Sequence, residues 1–363
     1  MKTHLAAFVF FSLLLLLLPG IISGQHNSHR QESEAHGKAE MEFNASEFIL
    51  DHISDSHEWH IMTLGEGEHA KHISLYLPVI LYSRETGLHF FSSRKLTHGH
   101  EYKGFRLMEE GDLKGTIVTV KANGEVDEEN IPLDFSMTKT VIGMLAAAII
   151  GLWIFLALSR SYKKNGISHP KGIQSLLEPI ICFIRDDIVI PNIGYKKHGK
   201  FMPYLLSVFF FILINNLMGL IPFPPPFGAN VTGNIAVTMT LAVFTFIIIQ
   251  INGNKSYWRH IFATPGVPFW LLPIMIPVEI IGMIAKPFAL TVRLFANITA
   301  GHIIVMSLLA LIFIFNSLAV APVSILFVIF MDCLELLVAF LQAYVFTLLS
   351  TLFISLAIVE EHH

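Results

Sequence analysis

The sequence predicts an all-α polytopic membrane protein. Five transmembrane helices are expected, the last two long and tilted, with one amphipathic surface helix and a small β-rich N-terminal extracytoplasmic domain. Three observations carry that expectation. Of 363 residues, 53% are apolar and 14% are charged, where about 25% charged is usual for a globular protein. Mean hydropathy is +0.60. Charge is also segregated: residues 25–136 hold 10 Lys/Arg against 20 Asp/Glu, and residues 137–363 hold 13 against 8. An acidic soluble module therefore precedes an embedded one. The basic excess of the second part is too small and scattered for nucleic acid, and two cysteines, Cys182 and Cys333, make no disulfide framework.

The first 24 residues read as a secretory signal peptide. Lys2 and His4 precede the apolar run Leu5–Leu18, Pro19 and Gly20 break it, and Ser23-Gly24 supply small residues for cleavage. A retained first helix is the alternative. With a signal peptide, residue 25 onward begins outside the cytoplasm. Residues 25–45 form a polar leader.

Residues 46–136 read as a small β-rich periplasmic domain. Glu58–Leu64, His72–Tyr82, Leu88–Ser93 and Thr116–Lys121 are short apolar or alternating runs, separated by turn signals such as Gly65-Glu66-Gly67 and Asn123-Gly124. Eleven of the 18 histidines fall within residues 25–136, which raises the question of a metal. His57, His60, His69 and His72 would cluster if two strands pair, but no HExxH or Cys/His spacing accompanies them. They are taken as surface histidines, with no metal, no cofactor and no chemistry assigned.

Residues 137–363 form the membrane domain. Met137–Leu158 is the first span, and Arg160, Lys163, Lys164 and Lys171 follow at once, so that end faces the cytoplasm. Gly172–Val189 carries Ile173, Leu176, Leu177, Ile180 and Ile184 at helical spacing and reads as the amphipathic helix on the membrane surface. Phe201–Ile221 crosses outward; the proline-rich Pro222–Gly233 cannot be helical and carries no Lys or Arg. Ile235–Ile251 returns to Lys255 and Arg259. Two blocks remain, Pro268–Phe315 and Val320–Val359, both too long to stand upright in a core of about 30 Å. Either both helices tilt strongly or the start of the first block is a separate re-entrant piece. Both arrangements call for a partner protein, because tilted helices carrying Arg and Glu should not face bare lipid.

From Phe201 to Val359 the charges are only Lys255, Arg259, Glu279, Lys286, Arg293, Asp332 and Glu335. Ionisable groups deep in apolar sequence are functional by default, because each costs about 2.5–3.5 kcal/mol to insert. An internal ion pair that only fixes packing is the bland alternative. If the last two blocks form an antiparallel hairpin turning near Ser317–Leu318, His302 falls level with Glu335 nearer the outside, and Arg293 falls level with Gln342 near the middle. Glu279 then lies near the inner face, opposite Ser355 and Leu356. Arg293 and Asn297 share a helix face, as do Glu335 and Gln342, joined by Asp332. Imidazole can pass protons to a carboxylate, and Arg is a fixed cation that favours an ionised carboxylate and repels a leaking proton. That arrangement suits proton relay through two offset half-paths. The mobile carboxylate itself must come from a partner.

At this point the residues resemble a known family. Lys286–Val305, KPFALTVRLFANITAGHIIV, carries the RLxxNxxxGH motif; Leu334–Phe353 matches a final helix; and Phe209–Phe223 resembles an NLM-x-L-x-P stretch that places Asn216 among the accessory positions. The family is subunit a of the F-type ATP synthase membrane sector, and the likeness covers about Gly172–Val359. The resemblance implies a proton-translocating stator subunit of a bacterial inner membrane, working against a ring of c subunits and held by the b-subunit stator stalk. It implies that Arg293 faces the ring, with Asn297 and Gln342 as polar neighbours. His302 and Glu335 would belong to the outer half-channel and Glu279 to the cytoplasmic one. Asp332, Lys286, Asn216 and Ser355 are possible accessory groups. Nucleotide chemistry is left to other subunits, since the chain has no P-loop. The large outer domain departs from the short N-terminus of many relatives. Two rivals remain: a haem-bearing electron carrier, which would need more intramembrane histidines than His302, and a stand-alone metal or ion transporter with a His-rich outer domain.

Overall fold

The computed structural model describes residues 45–64, 71–109, 111, 113–121, 124–127, 130–165, 172–221, 224–263, 267–315, 317 and 319–358. The expected signal peptide and nearly all of the polar leader lie outside the described residues. So do His69 and the side chains of His60 and His72.

The chain opens with a short helix, α1 (Ala45–Ile53), and seven strands follow among the described residues. Strand β1 (Glu58–Leu64) pairs antiparallel with β2 (Lys71–Tyr76), with a register shift between His60 and Met62. The expected single run His72–Tyr82 is two strands broken at Leu77: β2 ends there and β3 (Pro78–Ser83) begins a second sheet with β4 (Gly87–Ser92) and β7 (Leu133–Asp134), in the order β4-β3-β7. Strands β5 (Phe105–Leu107) and β6 (Ile117–Thr119) form a third pair. Val79, Leu81, Phe91, Leu96, Phe105 and Ile117 are the buried core of this part. Beside them His57 Nε2 lies 2.7 Å from Asp134 Oδ2, both nearly buried. Burial alone pushes the Asp134 carboxyl up, but the hydrogen bond and charge of His57, with the contacts of Ser136, outweigh it and hold the carboxyl below its usual range.

The strand domain is tied to the helices in two ways. Trp59, 5% exposed, is part of the same buried cluster as Met144 of the first membrane helix. Asp55 Oδ1 accepts a hydrogen bond at 3.0 Å from the Thr140 N–H, and Lys139 Nζ donates to the His52 carbonyl at 3.1 Å. A carboxylate at a helix N-terminus satisfies an otherwise orphan donor and complements the dipole. Helix α1 packs against the penultimate long helix.

Five helices among the described residues are long and apolar enough to cross a membrane. They are α2 (Lys139–Asn165), α5 (His198–Leu220), α6 (Ile235–Asn252), α8 (Leu272–Ile314) and α9 (Ala321–Ile358). Between α2 and α5, α3 (Ile173–Phe183) runs on through a π-helical stretch Ile184–Val189 into α4 (Ile190–Ile193). Leu177 and Ile184 of this segment are buried, whereas Ile173 and Leu176 are exposed. A further short helix, α7 (Lys255–Phe262), is N-capped by Asn254, whose side chain accepts from the Tyr257 N–H.

Helix α5 is the centre of the bundle: 83% of its most apolar window is buried, against 6% for α8 and 11% for α9. It packs on α2 at one side and on α9 at the other; α9 packs on α8, and α6 closes against both. Helix α8 is continuous through Pro277 and Pro287, so its first part is not a separate re-entrant piece. Each proline forfeits the backbone bond to the carbonyl four residues earlier; the Thr291 hydroxyl donates to the Pro287 carbonyl at 3.0 Å. At about 1.5 Å per residue, α8 and α9 reach roughly 65 and 57 Å, nearly twice the membrane core. Near the C-terminal end of α9 the carbonyls accept from other segments, that of Ala357 from the Asn254 N–H and that of Ile358 from Lys197 Nζ.

Candidate functional site

The functional groups lie on α8 and on the helices that meet it. Toward the C-terminal end of α8, α8 and α9 come together where α8 carries Gly301. A Cβ built at Gly301 would overlap the Glu335 carboxylate, so only glycine lets that side chain lie across the neighbouring helix. Glu335 Oε1 then stands 3.2 Å from His302 Nδ1, with 13% and 15% of the two side chains exposed. Hairpin register anticipated this meeting.

A narrow crevice, with room for about one water, borders the pair, lined also by Asn215, Asn216, Asn230, Thr232 and Asn297. Asn216 is fully engaged: its Nδ2 donates to the Ala339 carbonyl at 3.1 Å and its Oδ1 accepts from Thr232 Oγ1 at 2.6 Å. It thereby pins α5 to α9 and to the loop before α6. Asn215 Oδ1 and Asn230 Nδ2 are buried and have no hydrogen-bond partner among the described residues, although Asn215 Nδ2 donates to Phe211 and Asn230 Oδ1 accepts from the Gly233 N–H. The loop is held close to α2, where a Cβ at Gly143 would crowd Ala229 and Val231. Asn215, Asn230 and Thr232 were not singled out from sequence; an asparagine pair and an Asn-Val-Thr turn are common polar decoration, and only the fold aims them at one space.

Arg293 and Asn297, one turn apart, are both exposed on the outer surface of α8. Among the described residues the Arg293 guanidinium has no ion pair and no hydrogen-bond partner. Gln342 is placed differently from expectation. It is 7% exposed, turned into the packing, and no hydrogen bond joins it to Arg293 among the described residues. Equal depth in a hairpin fixes height along the axis but not the direction in which a side chain points. Asp332 is exposed on α9, one turn before Glu335.

At the N-terminal end of α8, Glu279 does not meet Ser355. The Ser355 hydroxyl donates to the Asn192 carbonyl instead, tying α9 to α4. Glu279 faces His260 of α7, whose Nδ1 is 3.9 Å from its Oε1. His260 is a residue the sequence reading passed over. Lys286 lines a second such crevice, with Gln250, Tyr257 and Phe353. Its Nζ sits 5.6 Å from the Phe353 ring centroid, within range of a cation–π contact.

A family model described as ATP synthase A chain matches residues 140–355, more than half of the chain. Residues 48–136 match a second model, described as a domain of unknown function. Subunit a of the ATP synthase of Chloroherpeton thalassium is 49% identical over 236 residues, which cover 63% of this chain and 69% of that protein. For ATP synthase subunit a 2 of Chlorobaculum tepidum the identity is 52% over 231 residues, covering 62% and 64%. For ATP synthase subunit a 2 of Prosthecochloris aestuarii it is 46% over 277 residues, covering 73% and 82%. The chain belongs to the family of F-type ATP synthase subunit a.

Proposed function

We propose that this chain is the proton-translocating stator subunit of an F-type ATP synthase, forming two offset half-channels against a ring of c subunits. The observation that carries the reading is the position of Arg293: an exposed guanidinium on a membrane-length helix, without a partner among the described residues, flanked by acid groups toward both ends. Burying an unpaired cation against lipid is costly, so the Arg293 and Asn297 face calls for a partner surface that carries a negative charge. A ring carboxylate has the required chemistry.

Protons enter from outside through the crevice at His302 and Glu335. The unsatisfied amide atoms of Asn215 and Asn230 favour water in that lining, because an unpaired buried polar group costs about 1–3 kcal/mol. They protonate a ring carboxylate and leave by Glu279 after nearly a full rotation. Arg293 lies nine residues from His302 and fourteen from Glu279, about 14 and 21 Å along the axis, and blocks the direct route by repelling a proton and holding an approaching carboxylate ionised. Each charge that crosses yields about 2.3 kcal/mol per 100 mV. The bilayer and a b-subunit stalk hold the subunit still while the ring turns. The strand domain lies on the outer, periplasmic side of a bacterial inner membrane, with the C-terminus inside, in accord with Lys163 and Lys164 at the far end of α2. Helix α3 lies along the inner surface with Ile173 and Leu176 toward lipid.

The test is Arg293→Ala in the assembled complex. ATP synthesis and coupled pumping should be abolished while the complex still assembles; normal coupling would refute the role given to Arg293.

A further inference from the structure

At the inner end of α8 the structure pairs Glu279 with a histidine from a separate surface helix. His260 Nδ1 and Glu279 Oε1 are 3.9 Å apart, with 53% and 29% of the side chains exposed. That separation is too long for a direct hydrogen bond and suits one bridging water. We propose that His260 is the proton-exchange group at the inner mouth, passing protons between the aqueous phase and Glu279. The proposal rests on the reading that Glu279 belongs to the inner half-channel.

Three features support it. The more exposed member is the imidazole, the side chain that exchanges protons near neutral pH, and the less exposed one is the carboxylate that continues inward. The pair stands 23 residues from the His302 end of α8, about 34 Å along the axis, which is about the thickness of a membrane core. The surroundings also leave Glu279 as the single carboxylate near the ring. Among the described residues of α7 and of the neighbouring N-terminal part of α8, the other charges are cationic: Lys255, Arg259 and Lys286. The inner end of α9 carries no charge up to Ile358, and Asn252 at the end of α6 is engaged by Lys200. A proton taken up at Nε2 makes the imidazolium; release of the Nδ1 proton through water to the Glu279 carboxylate returns a neutral ring and leaves a carboxylic acid. Synthesis runs the same transfers in reverse.

The experiment uses the whole complex in inside-out vesicles, where the inner face meets the medium. ATP-driven pumping is measured for His260→Ala and Glu279→Gln as medium pH rises from about 6 to about 9, a range that spans imidazole titration. His260→Ala should match the parent at the acid end and fall at least about threefold below it at the alkaline end, where free protons are scarce. A small diffusible buffer such as imidazole should restore the rate. A parent-like rate at every pH, or a loss that is uniform in pH and not restored by buffer, would overturn the proposal. Glu279→Gln answers the underlying reading separately: unimpaired pumping in that variant refutes the inner path whatever His260→Ala does.

Discussion

Each end of α8, outer and inner in the proposed orientation, holds an imidazole–carboxylate pair, at 3.2 Å for His302 and Glu335 and at 3.9 Å for His260 and Glu279. The outer pair is enclosed: two long helices cross there, Gly301 makes room for the carboxylate, and an asparagine-lined crevice is the approach. The inner pair is open, with one member on an eight-residue helix at the surface. Enclosure fixes geometry and limits access, whereas exposure secures exchange with bulk water. A half-channel that must store a proton for the ring resembles the first, and a mouth that must trade protons with solvent resembles the second. A third pair, His57 with Asp134 at 2.7 Å, lies in the strand domain and shows what the same chemistry does when it only supports a fold.

Between the two ends, the larger effect should come from breaking the outer pair. His302→Glu leaves two carboxylates facing each other, and Glu335→His leaves two imidazoles. Each single variant should lose about a hundredfold or more of proton-driven synthesis, the contribution usual for a positioned acid–base group. The double exchange restores one of each and should recover most of that loss. A double variant no better than the singles would show that the contact does not matter.

A smaller effect separates the two ends by their glycines. Gly301→Ala forces the Glu335 carboxylate aside, at a cost of about 1–3 kcal/mol in local strain, and should lower synthesis measurably. Gly282→Ala, on the same helix near Glu279, meets nothing within 4 Å and should be neutral or stabilising by up to about 1 kcal/mol. Equal effects from both would erase the distinction between a tight outer end and an open inner one.

The smallest effect on activity belongs to the strand domain. Asp134→Asn should leave pumping intact and reduce amide-exchange protection of β3, by about 1–3 kcal/mol for the unpaired buried partner. The sign with pH follows from the depressed carboxyl. Its contribution is present above the unfolded value of about 3.9 and is lost as pH falls through the lower folded value, so parent and variant should converge in acid. A difference that persists below that range would assign the stability to something other than the ionised pair.

What was legible in the sequence follows the same division. His302 and Glu335 sit on two helices joined by one short turn, so counting residues from the turn sets their height, and the contact follows. The five spans were legible for a related reason, since apolar runs of membrane length have few other uses. His260 was not legible, because α7 reaches α8 through a loop whose path carries no periodicity. Nor was the inward turn of Gln342, which depends on rotation about the helix axis rather than on depth. Continuity of α8 through Pro277 and Pro287 was left open because proline ends most soluble helices; packed membrane helices tolerate it. In the strand domain, the division of one apolar run at Leu77 depends on long-range pairing with β7, more than fifty residues away, beyond the reach of local pattern.

The exposed face of α8 around Arg293 can be tested directly by disulfide trapping in the assembled complex, after removal of Cys182 and Cys333. Ala289→Cys, one turn from Arg293 and exposed on α8, should cross-link to a cysteine placed beside the ring carboxylate, and Ile149→Cys, exposed on α2, should not. Cross-linking from Ile149 and none from Ala289 would contradict the account, because Arg293 would then look toward lipid with no rotor beside it.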